Sequence, residues 1–182
     1  MATYTVDLFM TLDGNGSGAV PFWGKEGPEL LAQRQGALDR RDRILVMGAN
    51  TYRLMERFAP AQNDPGFAAP PTPRKIVISR TLSEPLALPN TSLISGDAVE
   101  VVPRLKAESD LPLYSHGSIT MNRALLAAGL VDRLEVMIFP VVTGTTGQLL
   151  VLAGLPDMDL ELVESHLYDG RIQHLSYVPT LL

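Results

Sequence analysis

Short apolar segments alternate along this chain with segments whose apolar residues recur at helical spacing. Strands are predicted where β-branched and apolar residues cluster, at residues 3–9, 43–48, 75–79, 91–95, 113–115, 134–139, 159–165 and 172–178. Asp169-Gly170 separates the last two strands and is typical of a tight hairpin turn. The alternation predicts an α/β protein rather than an all-helical or all-β one.

Helix signals fill most of the gaps between these strands. Pro28 suits the first turn of a helix, and Glu29 beside it complements the helix dipole. Asn50 is a candidate N-cap for a helix that follows the strand at 43–48. Both helices would connect strands of a parallel sheet.

A further helix is predicted before the strand at 113–115, with one internal conflict. Asp97 and Glu100 have the spacing of a capping box, and the helix should end near Lys106. Pro103 lies inside that span and would kink or stop a helix. The helix therefore either bends at Pro103 or begins at Val102.

The predicted order places helices on both faces of one sheet. We therefore expect a single domain over residues 1–182, with a three-layer α-β-α architecture, a mostly parallel sheet and an antiparallel hairpin at the C-terminus. A chain of 182 residues is long enough to bury a substantial core.

The stretch from 113 to 150 is the most informative for function. A short strand ends at Ser115, and His116-Gly117-Ser118 then lets a ligand approach the backbone closely. The helix that follows would present its free N–H groups to this turn, an arrangement that suits a phosphate. The unit resembles a nucleotide-binding element.

The composition excludes several classes of binding partner and of chemistry. The net charge is −5 and no large Lys/Arg cluster occurs, so nucleic acid is not an expected partner. The chain has no cysteine, which excludes disulfides and thiolate chemistry. No membrane span and no signal peptide are predicted, so the cytoplasm is the expected location.

Several short motifs, in their order along the chain, resemble the dihydrofolate reductase-like fold and, within it, the reductase domain of bacterial riboflavin biosynthesis. The matching segments lie at 11–14, 46–52, 78–82, 116–118, 129–132, 140–144 and 162–165. The resemblance implies NADPH as hydride donor, a small-molecule substrate and a homodimer. The residues it assigns to the cofactor are Gly48, Asn50, Thr51, Tyr52, Ser79, Arg80, Thr81, Gly117, Ser118, Ile119 and Thr120.

The implied activity is hydride transfer to a small heterocycle, related to the reduction of 5-amino-6-(ribosylamino)uracil phosphate. Asp13, after the first strand, or an ordered water would supply the proton. Arg80 would contact the 2′-phosphate of the cofactor. Two alternatives stay open: a nucleotide-binding relative without turnover, which Ala49 favours because the family often has arginine there, and a true dihydrofolate reductase.

Several candidate functional residues also have simpler structural explanations. Asp13-Gly14 is also a turn signal, and Glu29 is better explained as a surface acid at a helix start. The glycines from 14 to 18 would form a mobile lid or a plain loop. Phe22 and Trp23 would either stack on a flat ring or pack in the core.

The histidines lack the spacing of a metal site. His166 and His174 are expected to approach each other across the hairpin, but no acidic third ligand is evident in the sequence. We therefore predict no metal.

Overall fold

The computed structural model describes residues 1–17, 25–38, 42–58 and 73–182. The helices are α1 (Pro28–Leu38), α2 (Ala49–Phe58), α3 (Ala98–Glu108) and α4 (Ile119–Ala127). The strands are β1 (Tyr4–Thr11), β2 (Asn15–Ser17), β3 (Ile44–Gly48), β4 (Lys75–Ile78), β5 (Thr91–Ile94), β6 (Leu113–Ser115), β7 (Arg133–Phe139), β8 (Gln148–Leu150), β9 (Met158–Tyr168) and β10 (Ile172–Leu181). Among the described helices, none has the length and apolar character that crossing a bilayer requires.

Eight strands form one sheet in the order β5-β4-β3-β6-β1-β7-β10-β9. The first six in that order pair in parallel, and β10 joins antiparallel to β7 and to β9. The predicted α/β fold of dihydrofolate-reductase type, with its C-terminal antiparallel hairpin, is confirmed. All the parallel strands therefore present their carboxyl ends at one edge of the sheet.

The two faces of the sheet bury different side chains. One face carries the largest apolar cluster, in which Val6, Val46 and Ile76 pack with Val102 of α3 and Leu125 of α4. The opposite face holds two smaller clusters. In one of them Tyr52 of α2 packs with the strand residues Met47, Val77 and Tyr114. In the other Leu30 of α1 packs with Met137, Phe139 and Ile172.

The hairpin turn is bonded to the start of α1. Asp169 and Gly170 both have positive φ, 50° and 66°, as the predicted tight turn requires. The Asp169 carboxylate accepts the backbone N–H groups of Glu29 and Leu30 at 2.9 and 3.1 Å, and the Glu29 carboxylate accepts the Asp169 N–H at 2.8 Å. The helix is thus capped by a residue distant in sequence.

One predicted helix cap is wrong, and a start of the next helix at Val102 is excluded. Asn50 does not cap α2 but lies in its first turn, because the helix begins directly after β3 at Ala49. The helix α3 starts at Ala98 with Asp97 as N-cap, as the capping signal predicted, but it runs through Pro103 to Glu108. Buried Val101 and Val102 fix α3 against the sheet, and this packing outweighs the hydrogen bond that proline cannot donate.

The pattern also missed a two-stranded ribbon. Asn15 of β2 pairs with Leu150 of β8, and Ser17 pairs with Gln148. Residues 15–17 lie in the segment interpreted as a lid or loop, and they are instead held to a distant strand. Strands this short give no periodic signal, which explains why neither was predicted.

Candidate functional site

The carboxyl edge of the sheet gathers most of the predicted site. Strands β1, β3, β4 and β6 end at Thr11, Gly48, Ile78 and Ser115, and Gly48 pairs with Ile78. The segments that follow therefore emerge side by side, although they are far apart in sequence. In open α/β sheets this edge is the usual ligand site.

Two glycines let the turns after β3 and β6 come into contact. The Gly48 N–H donates to the Gly117 carbonyl at 3.3 Å. A Cβ at position 48 would lie 2.7 Å from Ser118 Oγ, and a Cβ at 117 would lie 3.0 Å from Thr51 Oγ1. The structure thus brings Gly48, Thr51, Gly117 and Ser118 together, as predicted. The absence of a side chain at both positions lets the two turns pack directly against each other.

Helices α2 and α4 both begin at this junction, so their first N–H groups lie around it. Ser118 is the N-cap residue of α4, but its hydroxyl makes no capping hydrogen bond. Ile119 and Thr120 open α4, and Thr120 is exposed. Two helix starts with small residues between them suit the charge and size of a pyrophosphate.

The segment after β4 contributes differently from what its sequence suggested. The buried Ser79 hydroxyl accepts the backbone N–H groups of Thr81 and Leu82 at 3.0 and 3.2 Å. It therefore shapes the turn, while Arg80 and Thr81 are exposed beside the edge. Of these residues, Arg80 is the one that carries a positive charge.

Tyr52, one of the predicted cofactor residues, does not present its side chain to this edge. Tyr52 is 2% exposed and packs in the core under α2. Its hydroxyl accepts the Ala87 N–H at 2.8 Å and donates to Glu56 at 3.3 Å. Exposed Asn50 lies 3.5 Å from the Arg53 guanidinium. The aromatic ring of Tyr52 is a core group because helical periodicity turns it towards the sheet.

Asp13 is the centre of a hydrogen-bond cluster that joins the end of β1 to the loop after β7. Its carboxylate accepts Thr11 Oγ1 at 2.6 Å, the Thr143 N–H at 3.1 Å and the Gly144 N–H at 3.0 Å. The Thr143 hydroxyl adds contacts of 3.1 and 3.3 Å to the two carboxylate oxygens. The hydrogen bond from Thr11, with those from Gly144 and Thr143, holds the pKa of Asp13 well below its usual range. An ionised carboxylate with these partners is an anchor and a poor proton donor.

Replacing Asp13 with asparagine is expected to weaken the fold at neutral pH and to flatten its acid dependence. Because the folded-state pKa is lowered, the contribution of Asp13 is present above its unfolded pKa of about 4 and is lost as the pH falls below that value. Urea unfolding of wild type and Asp13→Asn at pH 7 and at about pH 3 measures this. The exposed Asp110→Asn is the control, and equal pH dependence in wild type and Asp13→Asn would contradict the anchoring role.

A polar network on the α1/α2 face of the sheet was missed by sequence reasoning. Asp7 of β1 is 5% exposed, and its Oδ2 lies 2.8 Å from Nδ1 of His116, which follows β6 directly. Asp7 pairs in register with Glu135 of β7, whose carboxylate accepts the Tyr114 hydroxyl at 2.9 Å. The signal that could have found it is an acid in the middle of the apolar strand β1.

The ionisable groups of this network shift one another's pKa values. Burial first, and then the neighbouring carboxylates, raise the pKa of Tyr114, so that its hydroxyl stays a donor. Burial opposes the ionisation of Glu135, but contacts with His174 and Tyr114 bring the net shift of its pKa downward. His174 Nε2 lies 3.8 Å from Glu135, and this carboxylate raises the pKa of His174. The guanidinium of Arg43 stacks 3.8 Å above the Tyr114 ring.

The hairpin histidines face each other as predicted, since His166 and His174 are register partners. Acids lie beside them that the sequence did not reveal: Glu29 contacts His166 at 2.8 Å, and Glu135 lies near His174. The hydrogen bond from the Asp169 N–H, and then His166, lowers the pKa of Glu29. Within the described ranges, no three such side chains converge as metal ligands do. Phe22 and Trp23 fall outside the described residues.

A protein-family model and a bacterial protein both match this chain over most of its length. The family model for the RibD C-terminal domain matches residues 2–174. The uncharacterized protein YyaP of Bacillus subtilis (strain 168) is 24% identical over 182 residues, which is 94% of this chain and 92% of that protein.

Solved structures share the fold at low identity. A putative riboflavin biosynthesis protein from Shewanella sp. PV-4 has a TM-score of 0.70 and 20% identity, covering 98% of this chain and 99% of that one. A diaminohydroxyphosphoribosylaminopyrimidine deaminase/5-amino-6-(5-phosphoribosylamino)uracil reductase from Thermotoga maritima has a TM-score of 0.68 and 16% identity, covering 98% of this chain and 57% of that one. Dihydrofolate reductase from Enterococcus faecalis, complexed with NADP(H), has a TM-score of 0.64 and 15% identity, covering 98% of this chain and 96% of that one.

Proposed function

The chain belongs to the RibD C-terminal domain family, and from this membership we propose that it is an NADPH-dependent reductase of a small pyrimidine- or pteridine-like heterocycle. The observation that supports the proposal most directly is the junction of Gly48 and Gly117 at the starts of α2 and α4. The family resemblance supplies the reaction class, and the residues of this junction supply a site that fits the cofactor.

The fit rests on the close approach of the two turns at the glycines. A Cβ at either position would collide with the opposite turn, so the two glycines allow the starts of α2 and α4 to lie side by side, where the pyrophosphate would bind. Backbone N–H groups at the starts of α2 and α4, with the Thr51 and Ser118 hydroxyls, would hold that group. Arg80 would bind the 2′-phosphate through charge-assisted hydrogen bonds. When bound, NADPH supplies the hydride.

The role of the protein is then to position the cofactor and the substrate, and to exclude water from the reacting atoms. The ribbon of β2 and β8 and the Asp13 cluster hold the loops that border the edge of the sheet. Because Asp13 is held ionised, the proton that accompanies the hydride has to come from another group or from water. Fixed dipoles and hydrogen-bond donors at such an edge act without reorganising during the reaction.

Isothermal calorimetry with NADPH and, in parallel, NADH tests the proposed cofactor. We expect saturable binding that favours NADPH, and we expect Arg80→Ala to weaken NADPH by about tenfold or more while leaving NADH unchanged. The control variant is Arg104→Ala, on the exposed side of α3. Equal loss for both cofactors would remove the 2′-phosphate role of Arg80, and no binding of either would overturn the reductase proposal.

One observation favours a second candidate, a nucleotide-binding relative without turnover. Ala49 opens α2 directly beside the phosphate junction and carries no charge. NADPH oxidation with 5-amino-6-(5-phosphoribosylamino)uracil separates the two: binding with turnover supports the reductase, and binding without turnover of any pyrimidine or pteridine substrate supports the relative.

We further propose that the protein is a homodimer that associates through β9. This strand is at the edge of the sheet and has eleven residues. It leaves Leu162, Val163 and Leu167 about half exposed, at 54%, 49% and 52%. A long apolar edge strand is an aggregation hazard unless it is covered, and a second copy related by a two-fold axis covers it with its own β9.

A further inference from the structure

The Asp7–His116 pair lies beside the turn proposed for the pyrophosphate of the cofactor. Val6 pairs with Ser115, so the next residues along the two parallel strands lie side by side. His116 is also the residue before Gly117, at the turn proposed for the pyrophosphate. The pair therefore joins the cofactor turn to the α1/α2 face of the sheet.

The pair is arranged as a buried acid with a partly exposed base. The Asp7 side chain is 5% exposed and that of His116 28%. A carboxylate only accepts hydrogen bonds, so the 2.8 Å contact holds a hydrogen on Nδ1 and leaves Nε2 free of Asp7. A carboxylate that fixes an imidazole in one tautomer and stabilises its cationic form is a recurring device in proton transfer.

Asp7 has acceptor capacity left over. Its Oδ1 is buried and has no hydrogen-bond partner among the described residues. An unpaired carboxylate oxygen in such a place is costly unless a donor arrives. A substrate with an N–H or NH₂ group supplies that donor, which selects nitrogen heterocycles over purely oxygenated carbonyl compounds.

We propose that His116 is the proton donor for the reduction and that Asp7 is its positioning residue and the acceptor for a substrate N–H. The inference rests on the proposed function. A C=N or C=O carbon of the substrate gains the hydride, and the π electron pair moves to its nitrogen or oxygen. That atom takes the proton from His116 Nε2, and the imidazole regains a proton from solvent. NADPH is oxidised to NADP⁺ and the double bond is reduced to a single bond.

Other titratable and charged groups face this pair and set its pH response. They come from the strands and the loop packed around it, namely Arg43 before β3, Tyr114 of β6, Glu135 of β7 and His174 of β10. Glu135 is already bonded to Tyr114, which leaves Asp7 as the carboxylate in contact with His116.

The first test follows NADPH oxidation with 5-amino-6-(5-phosphoribosylamino)uracil between about pH 5 and 9. We expect wild-type activity to fall as the imidazole loses its proton, and His116→Asn to lower kcat by about 100-fold and to abolish that limb of the profile. Asp7→Asn should lower kcat less and displace the limb. His166→Asn, at the hairpin, is the matched control and should behave as wild type.

The second test does not depend on turnover. Long-range ¹H–¹⁵N NMR of the imidazoles, in the full chain with NADP⁺, reports which ring nitrogen carries hydrogen. We expect Nδ1 of His116 to be protonated in wild type, the His116 resonances to shift when the same uracil compound is added, and those of His166 not to move. Asp7→Asn should change the tautomer of His116.

The outcomes separate the two levels of the argument. Protein that binds no NADPH overturns the proposed function and this inference with it. Protein that binds NADPH but shows wild-type kcat and pH profile in His116→Asn overturns the inference alone. So does a protein in which the uracil compound is neither reduced nor shifts the His116 resonances.

Discussion

Replacing Gly117 with alanine is expected to abolish measurable NADPH binding while leaving the protein folded. Gly117 has a φ of +142°, which residues with a side chain rarely adopt, and its Cβ would lie 3.0 Å from Thr51 Oγ1. The strain costs about 1–3 kcal/mol of stability. The larger effect is on the ligand, because the new methyl collides with Thr51, pushes the two turns apart and so displaces the N–H groups that would hold the pyrophosphate. Losing even two such charge-assisted hydrogen bonds weakens binding by at least about 100-fold.

Calorimetry with NADPH, beside urea unfolding of the same samples, measures both effects. Gly36→Ala is the matched control: it adds the same methyl on α1, where a Cβ would meet nothing within 4 Å. That change should leave NADPH binding intact. If Gly117→Ala binds NADPH like wild type, the turn after β6 is not the pyrophosphate site, and the proposed cofactor position is wrong.

Replacing Leu162 with glutamate is expected to convert the proposed dimer into a monomer. The side chain is already 54% exposed in the single chain, so the substitution costs the fold little. In a two-fold interface each substitution appears twice, which places two carboxylates in an apolar contact without partners. Light scattering after size exclusion, at several protein concentrations, measures the change in mass.

Leu54→Glu provides the control, because Leu54 on α2 is 53% exposed and lies away from β9. It should leave the oligomeric state as in wild type. A wild-type protein that is monomeric at every concentration would remove the dimer proposal. A Leu162→Glu variant that still dimerises would show that the dimer interface does not lie at β9.

The fold could be predicted because local and global signals agree. The apolar runs that became β3 and β4 are buried on both faces, as a central parallel strand requires. The turn at Asp169-Gly170 has the positive φ values that its residues favour. Two local features were not evident from the sequence. β2 and β8 have only three residues each, and α3 continues through Pro103 because its packing against the sheet outweighs the lost hydrogen bond.

The site could be predicted only in part, since sequence reveals which residues flank a strand and not which partners they meet. Gly48 and Gly117 could be predicted from strand ends and small residues. The anchoring role of Asp13 depends on Thr143 and Gly144, more than a hundred positions later, which no local pattern encodes. Tyr52 belongs to the same helix start as Gly48, but the helical turn directs its ring into the core. The partnership of Asp7 with His116 likewise exists only once β1 and β6 have paired.

The position of β1 in the sheet has a consequence for synthesis of the chain. Among the strands of this sheet β1 is made first, but both of its neighbours, β6 and β7, are made more than a hundred residues later. Its apolar residues must therefore wait unpaired while β3, β4 and β5 assemble beside one another. Such long-range closure makes folding slow and exposes the nascent chain to aggregation. β1 has both of its neighbours only when residue 139 has emerged, so it is fixed later than strands that follow it in the chain.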